Sequence, residues 1–264
     1  MKSFFIAYTL LNLWGCASGN GTNETPDTAE TKDTTDSNAL KTADPYVQSE
    51  AIVTHISALL PFVVWRQASI LAFPDNPDPC PLKTATEDGE GSIVTGDCTD
   101  QKGNKYSGLF QIQNTETGEA YEFSHFSMTH GSFSLAMNGD LHHDLEKKSI
   151  TANLQVEMAD ESRNLALQAN YADYFLSDVL DAIEVLAGES GAFVSEGSIR
   201  ITDVDDFFFN GTFKNWSECE EELDEMELVF SGERGTLTFQ ENAISCDRCT
   251  EWSSDSASGE ICIL

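Results

Sequence analysis

The side chains that could do chemistry in this chain are seven cysteines, five histidines and a surplus of carboxylates. Setting Cys16 aside, Cys80, Cys98, Cys219, Cys246, Cys249 and Cys262 form an even set. Cys246 and Cys249 make a C-x-x-C, which could be a redox pair or, with Cys219 and Cys262, a four-thiolate zinc site. No thioredoxin-like βαβ pattern surrounds it, so disulfides are the expectation. The histidines, His55, His125, His130, His142 and His143, contain no helical pair around a glutamate of the kind a zinc protease needs. On a strand, His142 and His143 would point to opposite faces and could not share a metal without a bulge. Acidic residues cluster at Asp203, Asp205 and Asp206 and again from Glu218 to Glu227, yet neither run has the glycine-punctuated spacing of an EF-hand loop. There is no G-x-S-x-G, no S-x-x-K and no phosphate-cradling glycine loop. The one catalytic arrangement that spacing cannot reveal is a glycosidase-type pair of carboxylates, which is set by distance in space. The sequence therefore assigns no catalytic residue, no metal ligand and no cofactor.

These groups depend for their setting on where the chain is sent. Lys2 precedes an apolar run from Phe4 to Leu13, a signal-peptide-like segment too short to span a bilayer. It ends in Leu13-Trp14-Gly15-Cys16, which resembles the lipobox of bacterial lipoproteins. That resemblance implies removal of residues 1–15, a diacylglycerol on the Cys16 thiol, and Cys16 as the mature N-terminus. The alternative is an ordinary signal peptide with an incidental cysteine. Ala17, in place of the aspartate that retains enteric lipoproteins at the inner membrane, implies the outer membrane. The membrane is then a partner through the lipid alone, each buried methylene contributing about 0.8 kcal/mol. An exported chain also meets an oxidising compartment, which favours disulfides.

Residues 16–45 read as a tether. From Thr22 to Asp36 five Thr-x-Asp/Glu triplets repeat, with no aliphatic residue larger than alanine to bury, so the segment is expected to be disordered. Over the whole chain 45 Asp and Glu face 14 Lys and Arg, a formal charge of −31. Such a field repels phosphate backbones, which excludes nucleic acid as a partner.

Residues 46–264 are long enough for one globular domain with a real core. Ile52, Ile56, Leu59, Leu60 and Val63 have helical spacing, so Tyr46 to Leu60 is expected to be an amphipathic helix that Pro61 ends or kinks. After the proline-rich loop from Pro74 to Pro81 the period changes to two. Tyr106, Phe110 and Ile112 share a face, as do Tyr121, Phe123 and His125, while Phe133, Leu135, Met137 and Leu141 and then Ile150 to Met158 alternate with polar residues. Turn residues at Asp100 to Asn104, Asn114 to Gly118, His130-Gly131 and Asp160 to Ser162 fit an antiparallel meander. Phe175 to Leu186 reads as an inserted helix, and strands resume at Phe193 to Thr202, Phe207 to Phe213, Met226 to Phe230 and Thr236 to Gln240. A small polar residue followed by glycine recurs at Ser107-Gly108, Asn138-Gly139, Asn210-Gly211 and Ser231-Gly232, in or at the end of expected strands, where glycine marks bends or bulges. The fold class is mainly β: an antiparallel meander curled into a barrel, half-barrel or sandwich, with one N-terminal helix and one inserted helix.

Hairpin geometry suggests cysteine partners. Cys80 with Cys98 would tie the first hairpin. Cys219 and Cys246 flank the hairpin turning at Glu233-Arg234, which leaves Cys249 for Cys262 around Trp252; the competing arrangement is Cys219 with Cys262 and a strained Cys246–Cys249 pair. The functional expectation is a lipid-anchored binding or structural module of the cell envelope, its protein, glycan or small apolar ligand unspecified, and the alternative is an envelope hydrolase acting on glycans through paired carboxylates. Exposed Trp and Tyr over an acidic pair would favour carbohydrate chemistry, and an apolar cavity inside a curled sheet would favour ligand carriage.

Overall fold

The computed structural model describes residues 45–72, 79–163, 165–185, 191–215, 225–242 and 249–262. Two helices come first, α1 (Pro45–Ser57) and α2 (Leu60–Ala72). Fourteen strands follow: β1 (Leu82–Ala85), β2 (Gly91–Thr95), β3 (Cys98–Thr99), β4 (Lys105–Asn114), β5 (Gly118–His130), β6 (Phe133–Asp144), β7 (Ser149–Asp160), β8 (Leu165–Leu176), β9 (Gly191–Ile201), β10 (Asp205–Asn215), β11 (Glu225–Gly232), β12 (Gly235–Asn242), β13 (Cys249–Ser254) and β14 (Ser258–Cys262). A third helix, α3 (Val179–Val185), is inserted between β8 and β9.

All fourteen strands belong to one antiparallel sheet in chain order, with β3 off the path against β4. Among the described residues the sheet does not close, so the barrel form of the expected fold drops out and the half-barrel and sandwich forms remain. Its inner face is wrapped on the helices: α1 packs on β8 and β14, and α2 on β2, β6 and β7. Strand β7 shows why this face is apolar. Ile150, Ala152, Leu154, Val156 and Met158 are all buried while Thr151, Asn153, Gln155 and Glu157 are exposed, the period-two pattern of a sheet with one wet face. Aromatic rings fill the space between sheet and helices, among them Phe62, Phe110, Phe126, Tyr174, Phe193, Phe230 and Trp252. Truncating any one of these to alanine costs about 3–5 kcal/mol in typical cores.

The N-terminal helix is two helices rather than one. Pro61, which has no N–H, lies in the first turn of α2 beside a break where the two helices bend by 50°, so it kinks the helical region rather than ending it. That same missing donor leaves the Ser57 carbonyl, four residues earlier, without an intrahelical partner. The Tyr171 hydroxyl from β8 supplies the bond at 2.7 Å, and Ser195 Oγ from β9 donates to the Ala58 carbonyl at 2.8 Å. Tyr174 Oη lies 3.3 Å from Ser195 Oγ and reaches the backbone of Phe62 at the start of α2. Burial holds the Tyr171 hydroxyl far above its ordinary pKa, with the neighbouring Tyr174 adding to the shift, so it is present as a donor. The sheet thus satisfies the break between the helices.

Two bulges bend the long strands. In β5 the register passes from Phe123 opposite Gly139 to Phe126 opposite Met137, so β5 carries one extra residue. That residue is His125, exposed and left-handed at φ 48°. His125 therefore does not share the face of Tyr121 and Phe123; the bulge reverses the alternation and Phe126 takes the inward place. Asp173 (φ 53°) does the same in β8, where Tyr171 and Tyr174 are both buried. Each bulge N–H is capped by an asparagine on the adjacent strand, His125 by Asn138 Oδ1 and Asp173 by Asn153 Oδ1, both at 3.2 Å. Of the four polar–Gly pairs, Gly108 and Gly139 lie at these irregularities with positive φ, whereas Gly211 pairs regularly with Leu228 and Gly232 stands opposite Gly235 at a hairpin. The expected helix from Phe175 is also shorter: β8 continues through Leu176, and α3 begins only at Val179.

Many of the acidic residues have a local task. Asp100 accepts the Lys102 and Asn104 amides at 2.9 and 2.8 Å, and Asp144 accepts those of Glu146 and Lys147 at 3.0 and 2.9 Å. Such side chains imitate a turn of backbone and fix hairpin geometry.

Candidate functional site

Two clusters of polar side chains stand out, one on each face of the sheet. On the inner face, near the start of β5, alternation turns Glu119 and Tyr121 toward α2, and register sets His143 of β6 directly opposite Glu119. Tyr121 Oη donates to Glu119 Oε2 at 2.7 Å and lies 3.2 Å from Ser69 Oγ, which itself bonds the Trp65 carbonyl at 2.9 Å. His143 Nδ1 stands 3.7 Å from Glu119 Oε2, an ion-pair separation rather than a hydrogen bond. The Trp65 ring covers His143 edge-on, with centroids 4.8 Å apart. The His143 ring, then the Tyr121 hydroxyl, hold the Glu119 carboxyl below its usual range, against burial, which raises it. Burial, first among several causes, pushes Tyr121 above its ordinary value, so it remains a hydroxyl. Chemically this is a carboxylate with a phenol, an imidazole and a serine hydroxyl in reach, able to hold a proton. It pins α2 to β5 and β6.

The outer-face cluster lies over β4, β5 and β6, in a shallow depression of about 480 Å³ lined by the polar side chains of Gln111, Gln113, Glu122, Asn138, Asp140 and His142. Glu122 and Asp140 are direct cross-strand partners and both are exposed. Like charges so placed repel. Asn153 Nδ2 donates to Asp140 Oδ2 at 3.3 Å, and His142 Nε2 meets Thr115 Oγ1 at 3.3 Å.

The remaining sequence candidates separate. Cys80 and Cys98 form a disulfide with Cα atoms 5.9 Å apart, tying the first hairpin as expected. The backbone register sets Cys249 opposite Cys262 across β13 and β14. Cys16, Cys219 and Cys246 lie outside the described residues, as do the tether and most of the run from Glu218 to Glu227. His142 and His143 do face opposite sides of β6, one against Thr115 and the other against Trp65. Asp206 takes Arg200 in a bidentate surface pair at 2.6 and 2.7 Å, while Asp205 accepts the Asp206 and Arg234 amides; these carboxylates cap a turn. Among the described residues no three His, Cys, Asp or Glu side chains converge as a metal site.

Every tryptophan and tyrosine whose side chain is described is buried: Trp65, Trp252, Tyr106, Tyr121, Tyr171 and Tyr174. Among the described residues, no exposed tryptophan or tyrosine ring stands over the acidic pair Glu122–Asp140. Sequence reasoning missed the Glu119–His143–Tyr121 cluster, although the alternation Glu119-x-Tyr121 was a usable signal; His143 could be added only through register. No protein-family model matches the chain, and no curated protein and no solved structure is detectably similar to it.

Proposed function

We propose that the protein is a lipid-anchored binding or structural module of the cell envelope, held at the outer membrane through Cys16 and lifted from it by the acidic, threonine-rich tether. The observation that carries the reading is the filled interior: the chain's own helices and rings occupy the concave side of the sheet, so partners meet the polar outer face, the strand edges or the open side of the helices. The lipobox-like Leu13-Trp14-Gly15-Cys16 supplies the anchor. The test has two parts. Cells fed labelled palmitate should label the wild-type protein and not Cys16→Ser; no uptake, with a mature N-terminus other than Cys16, refutes the anchor. A screen of the full chain against envelope glycans, lipids and metal ions should give at least one saturable ligand if it is a binding module.

A glycan-directed hydrolase keeps one supporting observation, the Glu122–Asp140 pair in its depression. It requires that Glu122→Gln or Asp140→Asn abolish turnover of an envelope glycan. Absence of turnover by the wild-type chain removes it.

A further inference from the structure

We propose that the wet face of the sheet binds an uncharged linear glycan laid across the strands, one end in the depression over β4, β5 and β6 and the other on the ring of Phe208. This rests on the binding-module reading and names a ligand class for it. Phe208, in β10, is the most exposed large apolar side chain among the described residues, at 72%. Its cross-strand partners are Ser198 and Ser231, and Asp206 and Asn210 precede and follow it on the same face of its own strand. A single ring in so polar a setting lacks the broad apolar centre that a protein partner would bury. It does offer one flat apolar face, whose negative π cloud attracts the polarised C–H bonds of a sugar ring.

Register joins this ring to the depression. Phe208 stands opposite Ser198, and Ser198 opposite Ala172 of β8. At the β8 bulge Asn153 of β7 continues the row: its Oδ1 accepts the Asp173 amide, its Nδ2 donates to Asp140, and Asp140 faces Glu122 inside the depression. From Asp140 on β6 to Phe208 on β10 the row crosses four strand spacings, about 19 Å along the sheet. Ser198 and Ala172 are short, whereas the cross-strand pair Arg200–Asn170 on one side of them and the pair Glu196–Phe175 on the other are long. The row is therefore a trough that leads from the ring to the depression. Its chemistry selects the occupant. Gln111, Gln113 and Asn138 can each donate and accept, as a sugar hydroxyl does, and the exposed carboxylates of Glu122 and Asp140 accept from hydroxyls. Those carboxylates and the formal charge of −31 repel an anionic chain, and Arg200 beside the trough is already held by Asp206. Tyr121, Phe123 and Leu141 beneath the depression are buried, so an apolar ligand finds no surface on them. A small cation would use the two carboxylates and leave the trough and Phe208 idle.

The test is calorimetric titration of the full chain carrying Cys16→Ser, so that no acyl chain is attached, with cellohexaose, maltohexaose and laminarihexaose and with the matching disaccharides. At least one hexasaccharide should bind saturably and one to one. It should bind about ten-fold or more tightly than its disaccharide, which is too short to join the two ends of the trough. Asp140→Ala and Phe208→Ala should each weaken the hexasaccharide about ten-fold at an unchanged thermal midpoint, because both side chains are exposed and each supplies one contact. Equal affinity for hexasaccharide and disaccharide, a Phe208→Ala variant that binds as wild type, or uptake of spermidine or calcium with no hexasaccharide bound would each overturn the proposal. If every hexasaccharide fails while another envelope ligand binds, the glycan falls and the binding module stands; if nothing binds saturably, both fall.

Discussion

Removing one hydroxyl should loosen the helices from the sheet. Tyr171→Phe deletes the donor to the Ser57 carbonyl, a buried acceptor that Pro61 deprives of its intrahelical partner. An unsatisfied buried carbonyl costs about 1–3 kcal/mol. In a domain of this size each kcal/mol moves the thermal midpoint by about 2–4 °C, so calorimetry should record a drop of about 4–8 °C for a loss near 2 kcal/mol. The variant Pro61→Ala discriminates the cause. It restores an amide four residues after Ser57, so in the Tyr171→Phe background it should recover part of the loss, whereas in the wild type it has little to offer. The double-mutant cycle measures that coupling. A Tyr171→Phe midpoint within a degree of wild type would refute the reasoning, as would a loss that Pro61→Ala leaves untouched, since the hydroxyl would then not be what satisfies the break.

Burial lowers the pKa of His55 to about 4 from 6.5. The unfolded chain then binds the proton more readily, so stability is full above about pH 6.5 and falls as pH drops toward 4; the loss is on the order of 3 kcal/mol at most, since the residue keeps partial exposure. His55→Phe should flatten the dependence of urea midpoint on pH in that window, and an unchanged slope would count against a neutral buried ring. Asn138→Ala removes the cap on the His125 bulge and should destabilise by about 1 kcal/mol, while His125→Gly, which relieves a left-handed residue, should be neutral or stabilising in the same urea titration. Non-reducing peptide mapping should find Cys249 joined to Cys262 as well as Cys80 to Cys98; a Cys219–Cys262 peptide, or zinc held by reduced thiols, would exclude that pairing. Opening the Cys80–Cys98 bridge should cost about 2–4 kcal/mol.

Much of this fold is local, and for that reason was legible in the residues. The strict alternation from Ile150 to Met158 depends only on the pleat of one strand, and the turn at Glu233-Arg234 and the aspartate-capped loop at Asp100 depend on a few neighbouring residues. Cys80 and Cys98 flank a single hairpin, so their meeting also follows from short-range geometry. What alternation could not show is where it fails. His125 is extruded because Asn138 on the next strand offers its N–H an acceptor, and that contact exists only once register is set. Likewise the sequence left open whether Pro61 ends or kinks the helix; it kinks it, and Tyr171 and Ser195, more than a hundred residues away, bond the carbonyls at the break. The meeting of Glu119, Tyr121 and His143 under Trp65 is equally a product of packing: a side chain's type fixes what it can bond, but only the neighbours brought by the fold decide whether it does.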